Sequence, residues 1–195
     1  MPPCLYILRH GHIDTAGCLV GQTDLPLSPK GIKQAHNWRD RLSGIAFGAV
    51  WCSPLQRAKQ MASLVSAGKA GVQIQPVDAL KEVSLGLWEG MPKEEVQARY
   101  PHQWERRGQD MAHCAPPGGE SLAMLAHRVL PAFHAIYEQA EQHEHSLLVA
   151  HRSVIQAILA HILALPVEMM PSIHLPYASL VCLDQCYLEA APPER

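Results

Sequence analysis

The sequence predicts an α/β protein: a three-layer α/β/α sandwich with a mostly parallel central sheet, a small helical cap insertion and a C-terminal edge strand. Three observations support this fold class. Short apolar segments of strand length alternate with segments that have the periodicity of amphipathic helices. These strands are apolar throughout, which is typical of a parallel sheet covered by helices on both faces. A polar, proline-broken segment interrupts the alternation once, and we expect it to lie over the sheet.

Two strand and helix pairs occupy the first part of the chain. A buried strand is predicted at residues 4–8. Ser28 then caps a helix that has Pro29 at its first position, where the missing N–H does no harm. A second strand at 49–52 leads to a second helix that begins at 54–57. The apolar spacing predicts buried helix faces made of Ile32, Ala35, Trp38 and Leu42 in the first helix and of Ala58, Met61, Ala62 and Val65 in the second.

The remaining elements complete the sheet. Strands are predicted at 71–77 and 146–150, with a helix at about 153–163 after the latter. The cap insertion is predicted at about 88–119, and the long helix that follows, at about 121–142, should kink at Pro131. Apolar and polar residues alternate around Val181, Leu183 and Tyr187, as in an edge strand. Because no repeat or linker divides the chain, we interpret residues 1–195 as a single domain.

Composition excludes several classes of protein. With 195 residues, of which 48% are hydrophobic, the chain can bury a full core without disulfides or metals. A formal net charge of -2 argues against a surface for nucleic acid or membranes, so any anion site must be local. The six cysteines are dispersed without a C-x-x-C pair, and we expect reduced thiols. The N-terminal segment has no basic region before its short apolar run, and we expect a cytoplasmic protein.

Charged and polar side chains follow the predicted strands at their carboxyl ends. In an open α/β sheet these ends converge on a crevice where ligands bind. Two histidines, two or three arginines and a carboxylate would meet there. They are Arg9, His10 and Gly11 after the first strand, Arg57 after the second, Glu82 after the third, and His151 and Arg152 after the fourth.

This set of side chains suits phosphate chemistry. Arginine offers phosphate oxygens a planar, permanently charged fork, and imidazole near neutral pH can act as a nucleophile. Gly11 would let the backbone approach closely. Attack by a histidine would give a phosphohistidine, which divides one displacement into two easier steps. Glu82 is the only acid placed to protonate the leaving alkoxide and then to activate water.

Six motifs occur in order between about residues 5 and 183: LRHG, GQTDLPLSPKG, CSPLQRAKQ, LKEVSLGLWEG, PPGGES and VAHRSVI. In this order they resemble the motifs of the histidine phosphatase superfamily, the phosphoglycerate mutase-like fold. The resemblance implies a phosphoric monoester hydrolase without cofactor or metal. It also implies the role of each site residue: His10 as the phosphorylated nucleophile, Arg9, Arg57 and His151 as binders of the phosphoryl group, and Glu82 as proton donor and acceptor.

Several positions depart from the usual pattern of the superfamily. His12 stands where glutamate is common, Ala16 where asparagine is common, and Met61 where threonine is frequent. The loss of the amide at position 16 removes one phosphate contact and bears on substrate fit. Arg152 and Ser153 replace a glycine-containing pair, and Arg152 would add a cation to the phosphate site or restrict the pocket. None of these changes removes a member of the catalytic set.

Three groups of residues have more ordinary interpretations. Glu89 competes with Glu82 as the acid, but a loop or helix-cap role is expected for it. The run from His143 to His145 has no evident third ligand, so we interpret it as surface and expect no metal site. Three cap side chains would either contact the substrate or pack within the cap: Trp104, Arg106 and Arg107.

The expected function is a metal-independent phosphomonoesterase with a phosphohistidine intermediate. A short cap admits water, which favours hydrolysis over mutase activity. Length and layout are similar to the α-ribazole phosphatase branch, which implies α-ribazole 5′-phosphate, an intermediate of cobalamin synthesis, as the substrate. The alternatives are a broad-specificity sugar-phosphate or nucleotide phosphatase, then a phosphoglycerate mutase. A different class is a non-catalytic phospholigand-binding module. We expect a small phosphorylated metabolite as partner, neither nucleic acid nor a membrane, with a homodimer left open.

Overall fold

A computed structural model describes residues 4–69 and 71–184, and its elements follow the predicted order. The strands are β1 (Cys4–Arg9), β2 (Ala49–Cys52), β3 (Ile74–Pro76), β4 (His145–Ala150) and β5 (Leu180–Asp184). The α-helices are α1 (Pro29–Arg41), α2 (Gln56–Ser66), α3 (Lys93–Arg99), α4 (Pro101–Gln109), α5 (Leu122–Ala140) and α6 (Arg152–Ile162). Short 3-10 helices lie at Asp78–Leu80, Gly86–Trp88 and Val167–Ser172.

The five strands form one sheet in the order β3-β2-β4-β1-β5. The first four are parallel, and β5 runs antiparallel to β1 at the edge. The predicted mostly parallel sheet with a C-terminal edge strand is therefore confirmed. Val181 and Leu183 lie in that strand, whereas Tyr187 is outside the described residues. Because β4 inserts between β1 and β2, the carboxyl ends of β1 and β4 are adjacent, and a crevice opens where the strand order reverses.

Helices cover both faces of the sheet, as the three-layer prediction requires. Alternate residues of β1 point to opposite sides: Tyr6 and Leu8 pack with α1 and α2, and Leu5 and Ile7 pack with α5 and α6. Both groups are buried. A strand that is apolar on both faces is stabilised by each helix layer, which explains the continuous apolar segments of the sequence.

The helix starts follow local side-chain chemistry. The Ser28 hydroxyl oxygen accepts from the Gly31 N–H at 3.2 Å and caps α1, as predicted.

Two details of the helices differ from the predictions or stay untested. Ile32 is 40% exposed rather than buried. The prediction was wrong because Gly31 and Ala35 face the sheet instead. Helix α5 continues through Pro131, and the kink expected there stays a prediction.

Helices α3 and α4 occupy the segment predicted as a helical cap. None of the helices within 4–69 and 71–184 has the length and apolarity needed to cross a membrane. The single domain and the cytoplasmic location stay predictions, and the question of a homodimer stays open.

Two expectations about cysteine and histidine are corrected by the strand pairing. Cys4 and Cys182 form a disulfide between β1 and β5, so the six thiols are not all reduced. The two cysteines are 178 residues apart in the sequence, so the sequence alone does not predict that they pair. The antiparallel pairing of β5 with β1 brings their Cα atoms to 6.2 Å. His145 is buried against Tyr6 rather than solvated, because β4 begins one residue earlier than predicted.

Candidate active site

Strands β1 and β4 end side by side and bring two buried histidines together. Arg9 pairs with Ala150 across the strands, and the His10 N–H donates to the Ala150 carbonyl at 3.0 Å. The next residue of β4 is His151. The His10 and His151 ring centroids are 5.0 Å apart, and the two residues are 3% and 0% exposed.

The His10 ring has a defined tautomer. Its Nδ1 lies 2.7 Å from the Gly11 carbonyl oxygen, which can only accept, so Nδ1 carries the proton and Nε2 keeps a lone pair. Burial, followed by the positive charge of Arg57, lowers the pKa of His10 well below its usual value, although the bond to Gly11 opposes this. The imidazole is therefore neutral at pH 7, and Nε2 can act as a nucleophile.

Arg9 and Arg57 lie beside the histidines with part of each guanidinium already bound. Arg57 donates from Nη1 to the Thr23 carbonyl at 2.8 Å and from Nη2 to the Gly21 carbonyl at 2.5 Å. Arg9 donates from Nη1 to the Leu175 carbonyl at 2.5 Å. Burial lowers the pKa of both arginines, and the Glu82 carboxylate opposes that shift in each. Both remain charged at neutral pH.

Several buried nitrogen atoms of this cluster have no hydrogen-bond partner among the described residues. They are Nε of Arg9, Nε of Arg57 and both ring nitrogens of His151. A buried donor without a partner costs free energy, and such atoms are rare in folded proteins. One oxyanion placed among these side chains would satisfy several of them at once.

Glu82 lies at the edge of this cluster and is 9% exposed. Its Oε1 accepts from the Val83 N–H at 2.9 Å, and its Oε2 accepts from the Ser153 N–H at 3.3 Å. The carboxyl group is thus held between the segment after β3 and the first turn of α6.

An ion pair that the sequence analysis missed holds the segment carrying Glu82. Arg128 binds Glu120 through Nε and Nη2, at 2.7 and 2.8 Å, and Glu120 also accepts from the Ser84 N–H at 2.9 Å. The same guanidinium donates to three backbone carbonyls, those of Ala79, Lys81 and Glu82. The sequence shows only an arginine within a helix and a glutamate before a helix cap, so no pattern identifies the pair.

Glu89 binds a loop rather than the histidine cluster. Its carboxylate accepts from the Thr23 hydroxyl at 2.5 Å and from the N–H groups of Gly21, Gln22, Thr23 and Leu85 at 2.7 to 3.1 Å. Burial acts to raise the pKa of Glu89, but these hydrogen bonds outweigh it and lower the pKa. The same loop supplies the carbonyls that hold Arg57, so Glu89 supports that arginine indirectly.

A cavity of about 390 Å³ opens beside Glu82 under the cap. Arg152 and Ser153 line it at the start of α6, and Val83 lines it next to Glu82. Arg152 is exposed on this wall, whereas Arg57 is buried and Arg9 is half-buried. The other walls are mostly apolar: Leu19, Leu85, Trp88, Trp104, Arg107, Gly108, Met111 and Leu122. Of the three cap side chains considered above, Trp104 and Arg107 line the cavity, and Arg106 is not among its walls.

The close approach expected at Gly11 involves the protein's own backbone. A Cβ at Gly11 would lie 2.7 Å from the Gly31 carbonyl oxygen, so the missing side chain lets the segment after β1 pack against the first turn of α1. His12 lies next to this contact, with Nδ1 2.8 Å from the Ser28 hydroxyl oxygen. The sequence predicted a close approach of the backbone at Gly11 but did not identify α1 as the element that it approaches.

Tyr177 is a third residue that the sequence pattern did not identify. Its ring lies over the Arg9 guanidinium, with the central carbon 4.0 Å from the ring centroid. The same ring is 5.5 Å from the His10 ring and 5.4 Å from the His12 ring. Site residues were sought at the carboxyl ends of parallel strands. Tyr177 lies before an antiparallel edge strand, so that search does not find it.

The arrangement combines a neutral imidazole, a set of unpaired cationic and polar donors, and a carboxyl group beside a cavity. Such a site can bind a phosphoryl group, attack it and supply a proton. The described residues contain no group of three or more His, Cys, Asp or Glu side chains that could hold a metal ion.

Known proteins resemble this chain in both sequence and fold. The sequence profile of the histidine phosphatase superfamily (branch 1) matches residues 5–187. The chain is 29% identical over 168 residues to an adenosylcobalamin/α-ribazole phosphatase of Escherichia coli K12, covering 85% of this chain and 82% of that protein. It superposes on the crystal structure of the α-ribazole phosphatase from Shigella flexneri with a TM-score of 0.86 and 26% identity, covering 93% and 90% of the two chains.

A longer relative matches as well. The chain is 32% identical over 190 residues to a 6-phosphofructo-2-kinase/fructose-2,6-bisphosphatase of Caenorhabditis elegans. The match covers 94% of this chain but only 39% of that protein.

Proposed function

The chain belongs to the histidine phosphatase superfamily and is a phosphatase, and we propose that it hydrolyses phosphomonoesters through a phosphohistidine on His10. One observation carries this proposal. Buried nitrogen atoms of Arg9, Arg57 and His151, which have no partner within residues 4–69 and 71–184, lie around an imidazole whose Nε2 has a free lone pair. These nitrogen atoms can bind a phosphoryl group while Nε2 attacks its phosphorus atom. The proposed reaction requires no cofactor and no metal.

In the first step, His10 Nε2 attacks phosphorus and the bond from phosphorus to the ester oxygen breaks. The Glu82 carboxylic acid gives its proton to the departing alkoxide. The Nδ1–H of His10 continues to donate to the Gly11 carbonyl and stabilises the positive charge on the phosphorylated ring. Arg9, Arg57 and His151 meet the charge on the phosphoryl oxygens with donors that are already in place, so little reorganisation is needed.

In the second step, water attacks the phosphohistidine. The Glu82 carboxylate accepts a proton from that water, the bond from phosphorus to Nε2 breaks, and His10 and inorganic phosphate are released. Glu82 suits both steps because it lies between the histidine cluster and the cavity, with Val83 and Ser153 shared by its hydrogen bonds and the cavity wall.

For the substrate, we propose α-ribazole 5′-phosphate, a compound with a fused aromatic base. The cavity volume of about 390 Å³ falls within the usual range for small-molecule sites. Trp104, which is partly exposed and packs on the buried Trp88, gives the cavity an aromatic wall against which a flat base can stack. Arg152 adds a positive charge on the cavity wall, close enough to Arg9 to affect its pKa. The similarity to α-ribazole phosphatases supports the same substrate.

A sugar phosphate is the second candidate, because one relative carries a fructose-2,6-bisphosphatase in its name. A sugar offers many hydroxyl groups, which need polar partners, whereas most of the cavity walls are apolar. The aromatic substrate therefore fits this cavity better.

The proposal is tested by phosphate release from a panel of substrates with a chelator present. The panel contains α-ribazole 5′-phosphate, sugar phosphates, nucleoside monophosphates and phosphoglycerates. We expect the highest kcat/KM for α-ribazole 5′-phosphate, no effect of the chelator, and no turnover by His10→Ala. His161→Ala, at the exposed far end of α6, serves as the matched control.

Other outcomes separate the alternatives. Similar activity over the whole panel would indicate a general phosphatase. Conversion of phosphoglycerates without phosphate release would indicate a mutase. Binding that raises Tm without any turnover would indicate a phospholigand-binding module.

A further inference from the structure

The face of an aromatic ring covers the Arg9 guanidinium, and we propose that Tyr177 is a positioning residue for this arginine, acting through its ring face rather than through its hydroxyl. This inference rests on the phosphoryl site proposed above. The guanidinium carbon is 4.0 Å from the ring centroid, inside the range of roughly 6 Å over which a ring face attracts a cation. Tyr177 therefore has a contact with Arg9 that is electrostatic as well as steric.

A second contact comes from the same segment of chain. The Leu175 carbonyl accepts from Nη1 of Arg9 at 2.5 Å. Leu175 binds the guanidinium at one edge while Tyr177 covers its face. Nε of Arg9 is buried and has no partner in the described part of the chain, so it can donate to a phosphoryl oxygen.

The backbone on the other side of Tyr177 is firmly attached to the site. The Ala178 N–H donates to the His10 carbonyl at 3.1 Å, and the Arg9 N–H donates to the Ser179 carbonyl at 2.9 Å. The Trp38 indole N–H donates to the Ala178 carbonyl at 2.7 Å. The ring thus projects from backbone that is bonded to both β1 and α1, and its position relative to Arg9 is well defined.

A held guanidinium matters because arginine has several rotatable bonds. Ordering such a side chain when the phosphoryl group arrives would consume part of the binding free energy. A ring that holds the guanidinium before binding removes this cost, and it keeps Nε aligned as charge moves onto the phosphoryl oxygens. Tyr177 also lies 5.5 Å from the His10 ring, but its shorter contact is with Arg9, and we expect its effect on the reaction to come through that arginine.

The first test compares aromatic and aliphatic substitutions with p-nitrophenyl phosphate as the probe. Tyr177→Phe keeps the ring face, whereas Tyr177→Leu and Tyr177→Met remove it. We expect Tyr177→Phe to stay within about twofold of wild type and the two aliphatic variants to lose roughly tenfold in kcat/KM, the size of an ordinary cation–π contact. The inhibition constant of inorganic phosphate should rise in the aliphatic variants, because the product uses the same arginine.

The second test is a double-mutant cycle with Arg9→Gln. If Tyr177 acts through Arg9, Tyr177→Leu causes no further loss in the Arg9→Gln background. Phe47→Leu is the matched control, because it removes a ring whose centroid is 5.0 Å from Lys69 Nζ at the opposite end of the strands. It should leave kcat/KM unchanged.

Three results would overturn the inference while leaving the proposed function intact. They are wild-type activity in both aliphatic variants, an equal loss in Tyr177→Phe, and losses that multiply in the Arg9→Gln background. A wild-type protein that releases phosphate from no substrate would instead remove the proposed function, and the inference with it.

Discussion

At the scale of single residues, the proposed mechanism assigns proton transfer to Glu82 and phosphoryl binding to other side chains. Backbone N–H groups of Val83 and Ser153 hold its two carboxyl oxygens, while Arg9 and Arg57 act on it only through their charge. The carboxyl group lies on the side where the cavity begins. Its contribution should depend on how strongly the leaving group needs a proton.

Glu82→Gln tests this dependence. We expect a loss of at least 100-fold in kcat on an alkyl phosphate, within the usual range of roughly 10²–10⁴ for general acid catalysis, and a much smaller loss on p-nitrophenyl phosphate. An aryl alcohol with a low pKa leaves without protonation. Steady-state kinetics on both substrates measure the difference, with Glu89→Gln as a comparison. Equal losses in Glu82→Gln would reassign Glu82 to binding.

At the scale of elements, the part of the chain that carries Glu82 is a short 3-10 helix and loop without strand pairing of its own. Arg128 on α5 and Glu120 before it take the place of strand pairing. They bind the carbonyl and N–H groups of this segment directly. Burial acts to raise the pKa of Glu120, but the bonds from Arg128 and Ser84 outweigh it and lower the pKa. The segment therefore depends on α5 for its conformation.

Arg128→Gln should weaken that support. We expect the free energy of unfolding to fall by about 2 kcal/mol, because hydrogen bonds to a charged, partly buried group are lost and carbonyl groups lose their partner. kcat should fall as well, because Glu82 is no longer fixed. Urea denaturation and steady-state kinetics measure the two effects. Arg99→Gln, which removes an exposed ion pair with Glu95, is the control and should change neither quantity.

The elements also show what could be predicted from the sequence. Arg9, His10, Arg57, Glu82 and His151 were identifiable as candidates because each lies at or after the carboxyl end of a parallel strand, and β1, β2 and β4 have a clear apolar signal. Tyr177 and Arg128 were not, because one precedes an antiparallel strand and the other lies within a helix. The disulfide between Cys4 and Cys182 depends on which strands pair, and the burial of His145 depends on where β4 begins. Apolar patterns in the sequence define neither.

At the scale of the whole molecule, the central cluster affects how stability depends on pH. Burial, aided by the charge of Arg57, holds the pKa of His10 well below its usual value. Burial, and then His10 and Arg57, do the same for the pKa of His151. The unfolded chain takes up protons on these residues near pH 6.5, whereas the folded chain does not. Stability is therefore complete above about pH 6.5 and falls as the pH decreases below it.

As the pH decreases below about 6.5, we expect the free energy of unfolding to fall by up to about 1.4 kcal/mol per pH unit for each of the two histidines. Denaturation by urea at several pH values measures this slope. His10→Asn and His151→Asn should each reduce it, whereas exposed His113→Asn should not. We expect inorganic phosphate to bind the folded state and so to raise stability. A slope that is the same in all variants would show that the two histidines are not responsible.

The central claim is that His10 carries the phosphoryl group between the two steps. The most direct measurement is mass spectrometry of the protein quenched in base within milliseconds of mixing with substrate, because phosphohistidine survives base and not acid. We predict a phosphoryl group on His10 in wild type and on no residue of His10→Ala. Turnover by His10→Ala, or a phosphoryl group found on a different residue, would contradict the account.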